Sequence, residues 1–386
     1  MIPYAKHSIS AADVAAVVRV LESGCITQGS QVPSFEQNIC RLVNVKHAIA
    51  VNSATSALHL ACLALGLGRN DYLWTSPISF VASANCALYC GANVDFVDID
   101  PETYNICPTS LATKLGIASR NGRLPKVVVP VHFAGQSCDM ERISALSREY
   151  GFKILEDASH AIGGQRSGVP IGSCKYSDAT VFSFHPAKII TTGEGGMVTT
   201  NCESTASKVR LLRTHGITRN LNKDTAREIE GWYYQQLDLG FNYRLTDIQA
   251  ALGNSQLSSL EVFLKARQTI VDRYNSELLS VPITLPFLDP HSLSANHLYV
   301  VKIKACTDIT RSQLYEHLTN DGIFVNVHYI PIPAHPFYKS LGFNPNDYPI
   351  AMEYYQNAIS LPLYPSLTES EQTFVLESIK RAFRCG

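Results

Sequence analysis

The sequence has no long apolar run, no block of like charge and no paired-cysteine motif, and each absence removes a class of protein. No stretch approaches the ~20 apolar residues that a membrane-spanning helix needs, and the opening MIPYAKHSIS lacks the apolar centre of a secretory signal. Lys and Arg number 32 against 33 Asp and Glu, a formal charge of -1. The basic footprint of a nucleic-acid binder is therefore missing. The 11 cysteines form no CxxC pair, and the closest two are Cys86 and Cys90. A scattered, odd set in a long chain reads as reduced thiols rather than a disulfide framework. The expectation is a soluble cytoplasmic protein with no metal site.

What is present suffices for a large core: 386 residues, 46% of them hydrophobic. Ser10-Ala11-Ala12-Asp13 resembles a capping box, and Val14, Val17, Val18 and Leu21 follow at helical spacing. A second helical stretch covers 34–42. Strand-like runs follow at 47–51, 94–99, 126–133, 152–156, 179–184 and 197–200, with helical patterns near 55–66, 79–89, 139–149 and 203–214. This alternation predicts an α/β fold with a mostly parallel sheet covered on both faces, and runs such as VVVPV suit strands buried on both sides. From about residue 246 to 279 the pattern is one long helix. Strand (297–305) and helices (310–320 and 369–383) then suggest a smaller α+β C-terminal domain. The expected division is 1–250 and 251–386.

The segment that carries chemistry is Ser183-Phe184-His185-Pro186-Ala187-Lys188, leading into Thr191-Thr192-Gly193-Glu194-Gly195-Gly196. A lysine that follows a buried strand, in a loop whose glycines admit a ligand, can lose proton affinity and add to a carbonyl. Pyridoxal 5′-phosphate (PLP) would require further parts. A carboxylate must face its ring nitrogen. Asp157 sits just past the strand at 152–156, where open α/β sheets present ligand residues, although a turn carboxylate would sit there too. A helix N-terminus must meet the phosphate. Asn52-Ser53-Ala54-Thr55-Ser56-Ala57-Leu58 (NSATSAL) joins a strand to a helix, and an ordinary N-cap would use the same residues; Ser183 can add a hydroxyl. Phe80 is a candidate for one ring face, or a core residue. Ala158 or His160 is a candidate for the other face, and His160 could instead bond the ring hydroxyl. His185 could position Lys188 or the phosphate, or simply hold its loop.

These pieces resemble the DegT/StrS sugar aminotransferases, a family of fold-type-I PLP enzymes. The matching runs lie in order along nearly the whole chain: Thr27-Gln28-Gly29 with Phe35-Glu36, NSATSAL, Glu156-Asp157, SFHPAK at 183–188, Glu194-Gly195-Gly196, Arg213-Thr214-His215-Gly216, Gly240-Phe241-Asn242-Tyr243-Arg244 with Asp247-Ile248-Gln249-Ala250, and Leu361-Pro362. The 76–85 run SPISFVASAN, NSATSAL and Val327-His328-Tyr329 are similar to a branch that works in pseudaminic acid biosynthesis. The resemblance implies a Schiff-base role for Lys188, a pyridinium partner in Asp157, and phosphate contacts from Ala54, Thr55 and Ser183. It implies that Asn242 reaches the cofactor of a second subunit, so a homodimer. Substrate contacts are implied for Tyr4, for Gly24, Cys25, Ile26 and Thr27, and for Asn326, Val327, His328 and Tyr329. Gly24-Cys25-Ile26 lacks the lysine that some members carry there, which leaves only backbone contacts from that segment as an expectation. The implied reaction moves an amino group from L-glutamate to a nucleotide-linked keto-sugar. The family's dehydratases have histidine in place of the lysine, and Lys188 argues against that branch.

Overall fold

The computed structural model describes residues 1–219 and 232–384. A seven-stranded sheet is formed by β1 (His47–Val51), β2 (Tyr72–Thr75), β3 (Asn93–Phe96), β4 (Val127–Val129), β5 (Lys153–Asp157), β6 (Ala179–Ser183) and β7 (Gly196–Thr200), in the order β1-β7-β6-β5-β4-β2-β3. All pairs are parallel except those that β7 makes with β1 and β6. Every residue of β4, β6 and β7 is buried, as continuous apolar runs between two helical layers require.

Several strands are shorter than their apolar runs. Pro130 has no N–H to donate, so β4 stops at Val129; Val131 then rejoins the sheet as an isolated bridge to Asp157. The run at 94–99 keeps ladder geometry only over Asn93–Phe96. Tyr72–Thr75 and the helix Pro108–Arg120 were not foreseen at all. The long helix after Thr246 is two, Asp247–Ser258 and Leu260–Glu277, broken where the Ser259 N–H turns to the Gln256 carbonyl in a tighter bond.

The capping box and helical spacing at the start of the chain form the first helix, Ala11–Glu22. It packs Ala16 and Val20 on Ala251, with Asp13 accepting from Gln256 Nε2 at 2.8 Å. The small side chains allow a close approach, and Val14, Val18 and Leu21 are left facing outward.

A second sheet is antiparallel, in the order β8 (Ile283–Thr284), β9 (Tyr299–Ile303) and β10 (Ala358–Leu361). Alternate residues of β9 serve two cores. Val300 joins the cluster under the large sheet, while Tyr299, Val301 and Ile303 join a cluster with Leu314, Val375 and Ile379. The chain start belongs to this second cluster, because Ile2 bridges Ile323.

Candidate active site

A cavity of about 780 Å³ opens at the C-terminal ends of β5 and β6. Asp157, Ser183, His185 and Lys188 reach it from those strands and the loop after β6. The helix Ala54–Ala64 presents Ser53, Ala54 and Thr55, and Ser79 and Phe80 come from the turn before the helix Ala82–Tyr89. Tyr4 and Asn326–Tyr329 close the opposite wall.

Residues 156 and 157 face opposite sides of the sheet, as neighbours on a strand must. Glu156 turns away from the cavity and accepts from His132 Nε2 at 2.6 Å, from Thr180 at 3.1 Å and from Ser177. The Cys138 N–H donates to His132 Nδ1, so the ring proton sits on Nε2, toward the carboxylate. Asp157 turns inward. Its Oδ1 accepts from the Ser159 hydroxyl at 2.6 Å and the Ser159 N–H at 3.1 Å, while Oδ2 accepts from Ser83 at 2.6 Å.

Burial lowers the Lys188 amine to about 8, against the opposing pull of Asp157. About a tenth of this amine is therefore unprotonated at pH 7, far more than of an ordinary lysine, which supplies a nucleophile and proton carrier. Three histidines surround it. Burial first, and the nearby Lys188 charge second, push His328 down to about 3 and His160 well below its usual value. His297 is held low by burial, then by His160 and Lys188. Three neutral rings thus contribute hydrogen-bonding groups without positive charge. His160 Nε2 lies 3.1 Å from the Tyr329 hydroxyl, and His328 Nδ1 lies 2.8 Å from Ser360 on β10.

At the other end of the cavity Ser53 caps the helix Ala54–Ala64 and accepts from Ser56 N–H at 3.1 Å. The first N–H groups of that helix have no partner within the helix and can receive an anion. Gly196, at the start of β7, passes directly beneath. A Cβ there would stand 2.5 Å from the Ser53 carbonyl carbon and 2.6 Å from Ala54 N.

Most of the residues singled out in the sequence converge here: Tyr4, Ala54, Thr55, Phe80, Asp157, His160, Ser183, Lys188 and Asn326–Tyr329 all line the cavity. Phe80 is 59% exposed, which removes the core alternative. Ala158 is buried in the core and does not line the cavity, whereas Ser159 and His160 of the same turn do. Gly24, Cys25, Ile26, Thr27 and Asn242 are exposed and lie outside the cavity of their own chain. Sequence reading assigned no site role to Ser79, Ser83 or His297; His297 opens an apolar strand run and carried no motif. Among the described residues no group of three or more His, Cys, Asp or Glu is placed to hold a metal ion.

Residues 7–380 match the DegT/DnrJ/EryC1/StrS aminotransferase family. The chain belongs to that family. It is a PLP-dependent sugar aminotransferase with the fold-type-I architecture. It is 39% identical to the spore coat polysaccharide biosynthesis protein SpsC of Bacillus subtilis over 98% of this chain and 96% of that protein. It is 36% identical to a Campylobacter jejuni UDP-4-amino-4,6-dideoxy-N-acetyl-beta-L-altrosamine transaminase, with both chains covered in full (100%). Among solved structures, Helicobacter pylori PseC, an aminotransferase involved in the biosynthesis of pseudoaminic acid, superposes with a TM-score of 0.90 at 31% identity, covering 100% of both chains. The cavity fits the cofactor. An unpartnered helix start, a buried carboxylate and a low-pKa amine surround one space, and the missing side chain at Gly196 keeps the helix start in place.

Proposed function

We propose that this enzyme transfers an amino group from L-glutamate to C4 of a UDP-linked 4-keto-6-deoxy-N-acetylhexosamine. The product would be UDP-4-amino-4,6-dideoxy-N-acetyl-β-L-altrosamine, for pseudaminic acid biosynthesis in the cytoplasm. The observation that carries the transamination reading is the Lys188 amine, lowered to about 8, in one cavity with the buried Asp157 carboxylate. The sugar rests on likeness to the Campylobacter and Helicobacter enzymes across the whole chain.

When bound, PLP supplies the carbonyl that takes up the amino group and a ring that accepts the electron pair left by a departing proton. The chain's own residues do the rest. Lys188 would hold the cofactor through its amine and, once freed by the amino donor, would take the donor's α-proton and carry it across the transferred nitrogen to the carbon two bonds away. Asp157 keeps the ring nitrogen protonated by facing it with a negative charge. Ala54, Thr55 and Ser183 bind the phosphate, Phe80 covers one ring face and His160 borders the ring. Tyr4 and Asn326, Val327, His328 and Tyr329 hold the sugar nucleotide.

The enzyme works as a homodimer in this reading. Asn242 reaches the partner's cofactor phosphate, and Gly24, Cys25, Ile26 and Thr27 meet the partner's substrate. The outward Val14, Val18 and Leu21, at helical spacing on one helix, offer an apolar face that a second subunit would cover. A different UDP- or dTDP-keto-sugar is the second reading, favoured by the 39% identity to SpsC. A binding protein without turnover is disfavoured, since it needs no lysine base.

Incubation with L-glutamate and a panel of UDP- and dTDP-4-keto sugars, read by mass spectrometry, decides between sugars. The expected result is one UDP-4-amino-4,6-dideoxy-N-acetylhexosamine. Amination of a dTDP-sugar alone would overturn the assignment.

A further inference from the structure

Two buried hydroxyls next to Asp157 have no role in the reading above. Ser83, fully buried in the first turn of the helix Ala82–Tyr89, donates from Oγ to Asp157 Oδ2 at 2.6 Å. Behind it, the Ser79 hydroxyl lies 2.7 Å from Ser83 Oγ. The direction of this chain follows from chemistry. An ionised carboxylate has only lone pairs to offer, so the Ser83 proton is committed to Asp157. Ser83 must then accept, and Ser79 donates to it. The result is a polarised relay, Ser79 to Ser83 to Asp157.

The helix itself makes no use of that hydroxyl. A serine near a helix start commonly caps a free N–H, but this helix has no side-chain cap. The two oxygens of Asp157 are also held in different ways. Oδ1 takes both its donors from Ser159, two residues away in the same turn. Oδ2 is held from an element 74 residues distant in sequence. With one donor set on each oxygen, the plane of the carboxylate is fixed. The turn that carries Ser79 also carries Phe80, so one short segment presents an aromatic ring to the cavity and clamps the carboxylate beneath it.

We propose that Ser83 is a positioning residue for transamination, setting the carboxylate plane of Asp157 against the cofactor's ring nitrogen, with Ser79 as the donor behind it. The inference rests on the reading of Asp157 as the partner of that nitrogen. A carboxylate deprived of the Ser83 proton is a stronger base and draws the ring proton toward itself. The linkage to Lys188 then becomes more basic.

The test uses the full chain loaded with PLP and compares wild type, Ser83→Ala, Ser83→Thr and Asp157→Ala. Three quantities are read: the PLP dissociation constant, the pH midpoint of the cofactor's visible absorbance, and the single-turnover rate with glutamate. Ser83→Ala is expected to weaken PLP binding about tenfold, as loss of a hydrogen bond to a charged group does. It should also raise the absorbance midpoint by about half a unit or more. Ser83→Thr, which keeps the hydroxyl, should restore both, whereas a purely structural role would leave the midpoint unmoved. Wild-type values for all three quantities in Ser83→Ala, beside an impaired Asp157→Ala, would overturn the proposal. Wild-type values in Asp157→Ala as well would instead overturn the role of Asp157. Should Ser83→Ala fail to fold, Ser79→Ala takes its place; it is expected to shift the midpoint in the same direction by less, and an unchanged midpoint there refutes the relay.

Discussion

Gly196→Ala is the sharpest probe of how the anion cradle is built. The added Cβ would lie 2.5 Å from both Ser53 C and O and 2.6 Å from Ala54 N. Ordinary carbon contacts settle at about 3.5–4.0 Å, leaving a deficit of about 1 Å. All three atoms are backbone, at the cap of the helix Ala54–Ala64, so no side chain can swing aside. Either β7 shifts or the helix start lifts away from the cavity. Overpacking of this kind costs about 1–3 kcal/mol, which is about 5- to 150-fold in an equilibrium constant. The cost is read by two measurements together: thermal unfolding of the cofactor-free enzyme, and PLP titration followed by absorbance. Strain retained in the fold lowers the melting temperature, and a displaced helix start weakens PLP binding. Gly193→Ala is the control. Its Cβ meets nothing within 4 Å, but its φ of +80° sets a strain of about 1–2 kcal/mol without touching the cradle. A Gly196→Ala enzyme with unchanged melting temperature and PLP affinity would refute the argument.

The cofactor-free enzyme should capture PLP at a rate that rises with pH through about 8 and levels off above it, because only the unprotonated Lys188 amine attacks. Asp157 raises that pKa, so Asp157→Asn should move the inflection below 8; an inflection near the usual lysine value in wild type would contradict the burial argument. A second expectation concerns Glu36. Its Oε1 accepts from Ala50 N–H at 2.8 Å and from Arg213 Nη1 at 2.6 Å, and the same nitrogen reaches the Ala50 carbonyl at 2.7 Å. Glu36→Gln should cost about 1–3 kcal/mol in denaturant unfolding, with the glutamate half-reaction preserved at low temperature.

The parts of the site that lie on strand ends or helix starts were legible in the sequence. Lys188 and Asp157 each follow an apolar run, and Ala54 and Thr55 stand where a strand gives way to a helix. What the sequence hides depends on distant elements meeting. Nothing local joins Ser83 to Asp157, or Tyr329 to His160, and the isolated letters of His297 give no sign that it borders the lysine. The fold shows the same limit. The sheet's parallel character was readable from alternation, but the antiparallel direction of β7 was not, since a strand's direction is fixed by the path of the chain before it. The apolar spacing of Val14, Val18 and Leu21 indicated a helix correctly and left open what lies against its face.

Ile2 pairs with Ile323, and His328 is fastened to Ser360 on β10, so Tyr4 and Asn326–Tyr329 are anchored through the smaller sheet. Lys188, Asp157 and the helix start at Ala54 are anchored through the larger one. The cavity is therefore a seam between walls anchored on two sheets, tied together by the 3.1 Å contact of His160 Nε2 with the Tyr329 hydroxyl and by Val300, which packs under the larger sheet. On the proposed assignment, in which the second wall holds the sugar nucleotide, substitutions there are expected to change the accepted sugar, and those at His328 or Tyr329 to reach Lys188 and His160 as well.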